Sequence, residues 1–278
     1  MSGYRLLVTD LDGTLLDRSG AVHERDRRAI AALLDRGVIV SIATGRMYSG
    51  TRDIARSIRV RGPVGCIDGS HIVQAENDGH LHTHPIAAGA AAHLLATLER
   101  TGVSCFILSD DTIHHDAGGA RYLSYVRIWS RCTRQVARLC LEPPDAIGPV
   151  TAVIGIGERD RVAQAEAALN APDGSVQVAV FPIGHPALRG QYGMVVRASG
   201  IDKASAVAWI ARHHGCSLEQ TVVVGDWHND IPMMKTAGRS FAMAQAPEEV
   251  SAVATDRLRA DVTTGGGIAE AAERAGLL

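Results

Sequence analysis

Short apolar runs alternate with segments whose apolar positions recur at helical spacing along most of the chain. Residues 5–9 read as a continuous apolar strand, and 24–36 as a helix with Ala29, Leu33 and Leu34 on one face. Residues 38–43 give a second strand, 49–57 part of another helix, and 64–67 a third strand. Strands alternating with helices imply parallel pairing through crossovers, hence an α/β sheet covered on both faces. The middle changes character. Asp78-Gly79 between 70–75 and 80–86 reads as a hairpin turn, and 87–101 as an alanine-rich helix. Paired strands follow at 104–108 and 112–115, then a long helix over 119–141 ended by Pro143-Pro144. A strand at 150–155, a helix at 160–169 and a strand at 176–181 complete this unit. From Tyr192 the first pattern resumes, with strands at 194–197, 221–224 and 240–243 and helices at 203–213 and 231–236. The pattern predicts one core domain, residues 1–86 and 189–278, interrupted by an inserted α/β domain at 87–188.

Composition narrows the possibilities. With 278 residues, 46% hydrophobic and 21% charged, the chain is an ordinary globular protein with ample material for a core. Its 28 Lys and Arg nearly balance 30 Asp and Glu, which argues against a broad electrostatic grip on nucleic acid. No apolar run approaches the roughly 20 residues of a membrane helix. The start, Met1-Ser2-Gly3-Tyr4-Arg5, leads into an apolar stretch too short for a signal peptide and then into Asp10 and Asp12. Five scattered cysteines (Cys66, Cys105, Cys132, Cys140, Cys216) contain no C-x-x-C pair, so neither a disulfide framework nor a zinc site is expected. The expected location is the cytoplasm.

Four segments carry chemistry. Asp10-Leu11-Asp12-Gly13-Thr14 follows the first strand; side chains two apart on an extended strand point the same way, so Asp10 and Asp12 should converge where open α/β sheets bind ligands. Carboxylates this close repel unless a cation or a proton intervenes. Thr44-Gly45-Arg46, after the second strand, offers a hydroxyl and backbone N–H groups suited to an oxyanion. Lys203 opens a helix, where the dipole disfavours a cation. Gly225-Asp226-Trp227-His228-Asn229-Asp230 closes another buried strand with two carboxylates and an amide. Oxygen-only donors suit Mg²⁺ better than zinc or copper. Each segment alone could be a solvated turn or a helix cap, but two acidic clusters each ending an apolar strand make that reading poor for both together.

In this order the four segments resemble the signature motifs of the haloacid dehalogenase-like (HAD) hydrolases. The insertion resembles the α/β cap of Cof-type phosphatases, and weaker similarity runs through Ala242-Met243-Ala244, Ala260-Asp261-Val262-Thr263 and Gly265-Gly266-Gly267-Ile268. The resemblance implies a Rossmann-like parallel core with an inserted cap, and a Mg²⁺-dependent phosphatase of a small phosphorylated metabolite, a sugar phosphate by default. It implies that Asp10 is the nucleophile forming an aspartyl-phosphate and Asp12 the general acid and base. Thr44, with backbone amides, would hold the phosphoryl oxygens, and Lys203 would balance charge at Asp10. Gly45, Arg46 and Asn229 would contact substrate. Mg²⁺ would take Asp10, the Asp12 carbonyl and Asp226, supported by Asp230.

Two departures stand out. Asp68-Gly69-Ser70 replaces the usual Asn-Gly-Ala, so Asp68 either tunes substrate choice or caps the hairpin; the capping role is preferred. Asp202-Lys203-Ala204 replaces Ser-Lys-Gly, and Asp202 could partly screen Lys203. His80, His82 and His84 alternate as solvent-facing hairpin residues would. His114, His115, Arg121, Tyr122, Arg127, Trp129, Trp227 and His228 earn no role from sequence. A phosphomutase of the phosphomannomutase type shares the aspartate pair and cap and is the alternative; a phospho-receiver domain and a catalytically dead binding protein fit less well. A nicotinamide dehydrogenase is disfavoured, since no G-x-G-x-x-G follows the first strand.

Overall fold

A computed structural model describes residues 3–139, 147–170 and 174–278. Cys140, the end of the expected 119–141 helix, Pro143-Pro144 and the first two residues lie outside the described residues. The chain divides into two compact units: residues 1–45, 51–82 and 202–278 form the first, 46–50 and 83–201 the second.

The first unit contains β1 (Leu6–Thr9), β2 (Ile39–Ile42), β3 (Pro63–Cys66), β4 (His71–Gln74) and β5 (Gly79–Thr83, whose last residue falls in the second unit). The second contributes β6 (Ser104–Ser109), β7 (Thr112–His115), β8 (Thr133–Gln135), β9 (Ala152–Glu158), β10 (Val176–Pro182) and β11 (Gln191–Ala198). The first resumes with β12 (Thr221–Gly225), β13 (Arg239–Ala242) and β14 (Asp256–Arg257).

The main sheet of the first unit runs β14-β13-β12-β1-β2, and every neighbouring pair is parallel. Leu6 to Thr9 stand opposite Thr221 to Val224 on one side and Ile39 to Ile42 on the other. Continuous apolar strands therefore sit at the centre, as double-sided burial requires. Helix Lys203–His213 lays Ala206, Val207, Ile210 and Ala211 against Leu6, Val8 and Val223, while helix Ile231–Thr236 adds Met233 and Met234. The separate sheet β3-β4-β5 carries the expected hairpin, turned at Asp78 with φ 59°.

The six-stranded sheet of the second unit runs β10-β11-β9-β6-β7-β8 and is antiparallel except for β7–β8. Helices Ala88–Thr101 and Arg159–Leu169 bury Leu94, Leu98, Val162 and Leu169 with Ile107, Val153, Met194 and Val196.

Two expectations are corrected. The strand near residue 194 does not resume the first unit's sheet: β11 pairs with β10 and β9 over its full length, so the boundary expected at 188/189 falls at 201/202. The first boundary, expected at 86/87, falls at 82/83. Nor is 119–139 one long helix. Asp116 accepts N–H bonds from Gly118 and Gly119 to start a short 3₁₀ stretch, Ala117–Tyr122; a single turn, Leu123–Val126, follows. The chain then becomes extended, with β8 along β7. Tertiary pairing overrides helix propensity here. Of the described cysteines, Cys66 and Cys216 are buried and Cys132 is exposed. No helix among the described residues is long and apolar enough to cross a membrane.

Candidate active site

Because β1 and β12 are parallel neighbours in register, they end together, and the residues just beyond them meet. The Asp10 N–H continues the ladder to the Val224 carbonyl (2.9 Å), which fixes the first residue beyond β1 beside the end of β12. Asp10, Asp226 and Asp230 are all buried, and one carboxylate oxygen from each lies within 4.8 Å of the others. Lys203 is the counter-charge. Its ammonium, 1% exposed, donates to Asp10 Oδ1 and to Asp230 Oδ1, both at 2.6 Å. The helix-start position that looked unfavourable is thus occupied by a lysine lying between two carboxylates.

The support around this cluster is local and specific. Asp230 Oδ2 accepts the N–H groups of Asp226 (2.8 Å) and Trp227 (3.0 Å), folding the fourth segment back on itself. Gly225 has to be glycine because a Cβ there would lie 2.4 Å from the Asp230 carboxyl carbon. Gly13 takes φ +84°, and its Cβ would fall 2.3 Å from Asp226 Oδ2. Both the turn and the close approach require it. Thr14 Oγ1 donates to Asp226 Oδ1 (3.0 Å), and Gln245 Nε2 donates to Asp226 Oδ2 (3.3 Å) and to the Gly13 carbonyl (2.6 Å).

Three carboxylates sharing one ammonium set the electrostatics. Burial raises the Asp10 pKa well above the ordinary carboxylate value; Lys203 opposes this, and Asp230 and Asp226 add to it. Burial and the neighbouring Asp230 push Asp226 up to about 6, although Thr14 and Gln245 favour its anion. Burial opposes the charge of Lys203, but Asp10 and Asp230 outweigh it and hold the amine protonated. Negative charge in excess, oxygen-only donors and two carboxylates reluctant to ionise without help are the conditions a hard divalent cation relieves. The residues present therefore fit Mg²⁺, with Asp10 and Asp226 as the carboxylates that would hold it.

The remaining expected residues are spread over both units. Asp12 is exposed; β1 ends at Thr9, and Asp12 forms an isolated bridge with Leu16 instead of continuing the strand. It is not one of the three carboxylates whose oxygens gather within 4.8 Å of one another. Thr44 is buried at the end of β2, its N–H bonded to the Gly65 carbonyl and its carbonyl to the Asp68 N–H, both at 2.9 Å. Asn229 Nδ2 donates to Asp68 Oδ1 (2.8 Å), and both side chains lie against Gly45. Arg46 belongs to the second unit, where its Nη1 donates to the Gly50 carbonyl (3.2 Å). Arg121, Tyr122, Arg127 and Trp129 also lie in the second unit; Tyr122 is buried with its hydroxyl on Gln191 Oε1 (3.0 Å).

Asp68 is more than a hairpin residue. Ile67, Asp68 and Gly69 take consecutive positive φ values of 51°, 48° and 102°. A β-branched residue there is a true outlier, of order 1–3 kcal/mol, which surrounding structure must hold in place. The result turns the Asp68 carboxylate onto Asn229, where its charge also acts on Lys203. Asp202 does something different from the expected screening: its carboxylate accepts the Ser205 N–H (2.9 Å) and caps the helix that Lys203 begins. His80 stacks on the buried His71, with ring nitrogens 2.8 Å apart.

Sequence reading missed Gln245, which lies far along the chain and has no motif of its own. It also gave Thr14 no role, though Thr14 stands in the first acidic segment.

Comparison with known proteins agrees with this geometry. Residues 7–271 match the model of the haloacid dehalogenase-like hydrolases. The chain is 24% identical over 264 residues to a phosphoglycolate phosphatase of Methanopyrus kandleri, covering 95% of this chain and 94% of that one. It is 24% identical over 248 residues to an HMP-PP phosphatase of Escherichia coli O157:H7, covering 89% and 87%. A haloacid dehalogenase-like hydrolase from Bacteroides thetaiotaomicron shares the fold with a TM-score of 0.83 at 23% identity, over 98% of this chain and 99% of the other. The chain belongs to the haloacid dehalogenase-like hydrolase family, and it is an enzyme of that family's phosphatase type.

Proposed function

We propose that the protein releases inorganic phosphate from a small phosphorylated metabolite, with Asp10 as nucleophile. The observation that carries this reading is the Lys203 ammonium held between Asp10 and Asp230 at the joint end of β1 and β12. An ammonium bonded to Asp10 Oδ1 orients that carboxylate and opposes the burial that disfavours its ionised, nucleophilic form. Attack of an Asp10 oxygen on phosphorus would form an aspartyl-phosphate while the ester oxygen leaves. Asp12, exposed one residue beyond Leu11, supplies the proton to that oxygen and then takes one from the water that hydrolyses the acyl-phosphate. Thr44 and the backbone about Gly45 cradle the phosphoryl oxygens, and Asn229, oriented by Asp68, lies against the same glycine. Arg46 is assigned to the substrate as well.

Mg²⁺, bound by Asp10, the Asp12 carbonyl and Asp226, with Asp230 in support, would neutralise charge that otherwise repels the phosphate dianion. The named phosphatase relatives act on different compounds, so the metabolite is left at its class; a sugar phosphate is the first candidate to assay. The core at 1–45, 51–82 and 202–278 would supply the chemistry, and the second unit would act as the cap that selects the substrate. Phosphate release from a panel of phosphorylated metabolites, with Mg²⁺ and with EDTA, tests the proposal beside Asp10→Asn. The expected result is Mg²⁺-dependent release by the wild type and a loss of about a thousandfold or more in the variant. Release that survives in Asp10→Asn would end the nucleophile assignment.

A further inference from the structure

Gln245 is an exposed residue on the segment after β13, yet its side chain joins three parts of the first unit. Its Nε2 donates to the Gly13 carbonyl (2.6 Å) and to Asp226 Oδ2 (3.3 Å), and its Oε1 accepts the Val262 N–H (3.1 Å). A backbone N–H can only donate, so the Val262 contact settles which end of the amide faces which way. The amide cannot flip without placing oxygen against a carbonyl and a carboxylate while turning its NH₂ toward another donor.

The anchor is itself held. Asp261 Oδ1 accepts the N–H groups of Thr263 (2.7 Å) and Thr264 (2.8 Å), and Gly265 N–H returns to the Asp261 carbonyl (2.9 Å). The next residue, Gly266, donates to the buried Asp26 (2.8 Å). Behind Gln245, the Ala244 N–H reaches the Ala260 carbonyl (3.0 Å). The amide therefore spans from a stapled turn to the Asp226 carboxylate, whose other oxygen is held by Thr14.

Resting on the cation reading of the site given above, we propose that Gln245 is a positioning residue for the cation ligand Asp226. It fixes the carboxylate and the Gly13 turn in one arrangement, so the site need not be ordered when the ion arrives. Groups that orient a metal ligand in this way typically change affinity by about ten- to a hundredfold when removed.

The test is direct binding of Mn²⁺ alone, monitored by electron paramagnetic resonance on the full chain, for wild type, Asp226→Ala, Gln245→Met and Gln245→Asn. Methionine keeps the length and removes both hydrogen-bonding ends; asparagine keeps the amide but withdraws it. Both are expected to weaken Mn²⁺ binding by about tenfold, with the unfolding temperature of the metal-free protein unchanged. A merely structural Gln245 would instead lower that temperature and leave affinity alone. Weakening below about fivefold overturns the proposal, since a group that orients a metal ligand has a larger effect; should Gln245→Met fail to fold, Gln245→Asn decides alone. If the wild type binds no Mn²⁺, the cation reading and this inference fall together. If wild type binds, Asp226→Ala does not, and the Gln245 variants match wild type, only this inference falls.

Discussion

The two sheets of this protein treat polar groups differently. In the five-stranded sheet all neighbours are parallel, so β1, β2, β12 and β13 end on one side and each hands its next residues to the same place. Asp10, Thr44 and Asp226 are those residues, and all three are buried. In the six-stranded sheet strands run alternately, apart from β7–β8, so no common end exists. Its apolar core gathers around Leu94, Ile107, Val153 and Met194, and buried polar side chains such as His114 and His115 on β7 and Arg197 on β11 are dispersed over separate strands. Parallel pairing gathers the residues just past the strand ends, whereas antiparallel pairing scatters them. The reaction itself is expected where strands end together.

Substitutions can break that contrast. The largest effect is expected from Lys203→Met, which leaves Asp10, Asp226 and Asp230 buried without their cation. The metal-free protein should lose about 3–5 kcal/mol, read by denaturant unfolding, with turnover lost as well. Added Mg²⁺ should recover part of the stability. A variant as stable as wild type without metal would show that the carboxylates do not depend on the ammonium. Phe106→Ala, in a fully buried position of β6, should cost a similar 3–5 kcal/mol, to order of magnitude about what such a cavity costs elsewhere. Its Mn²⁺ affinity at the first unit's cluster should remain that of wild type, and a matching loss would erase the distinction between the units.

The next effect is a pH dependence. Asp226 must release its proton to hold a cation, and burial has lifted its pKa to about 6. Cation affinity should therefore fall as pH drops through about 6, by up to about tenfold per unit for each carboxyl proton displaced, and Asp10, whose pKa burial also raises, adds to the fall. Melting temperature is a poor substitute. A carboxyl raised in the fold makes the metal-free protein less stable as pH climbs from the ordinary carboxylate range through 6. His71 works the other way: burial and the neighbouring His80 lower its pKa to about 4, so its contribution is lost as pH falls from 6.5 toward 4. The two trends offset each other in a thermal scan, while calorimetric Mg²⁺ titration isolates the first. The smallest effect belongs to Asp68→Asn. It keeps an acceptor for Asn229 but removes a charge near Lys203, and should shift relative kcat/KM across the panel by about tenfold or less. Identical ratios in both proteins would return Asp68 to a purely structural role.

Much of this was legible in the residues themselves. Helices at Lys203–His213 and Ile231–Thr236 fall on the bounds the pattern gives, since their apolar positions face one sheet. Asp10, Lys203, Asp226 and Asp230 stood out from short-range order: three are acids placed just past an apolar strand, and the lysine sits at a helix start. The features that escaped were non-local. β11 has the composition of a core strand, and only its pairing with β9 and β10 places it in the second unit. Ile67 gives no hint of a left-handed backbone, because the surroundings impose it. Gln245 reaches Gly13, more than two hundred residues earlier, so no spacing rule could connect them.

The parallel pairing of β1 with β12 also bears on how the protein is made. Leu6 finds its partner Thr221 about 215 residues later, while every strand of the six-stranded sheet lies between residues 104 and 198. At synthesis rates of about 5–20 residues per second, β1 leaves the ribosome roughly 10–40 seconds before β12 exists. Throughout most of that interval the fragment carrying Asp10 lacks both Lys203 and Asp226. The cluster of Asp10, Lys203, Asp226 and Asp230 therefore comes into being only when the last quarter of the polypeptide closes the sheet.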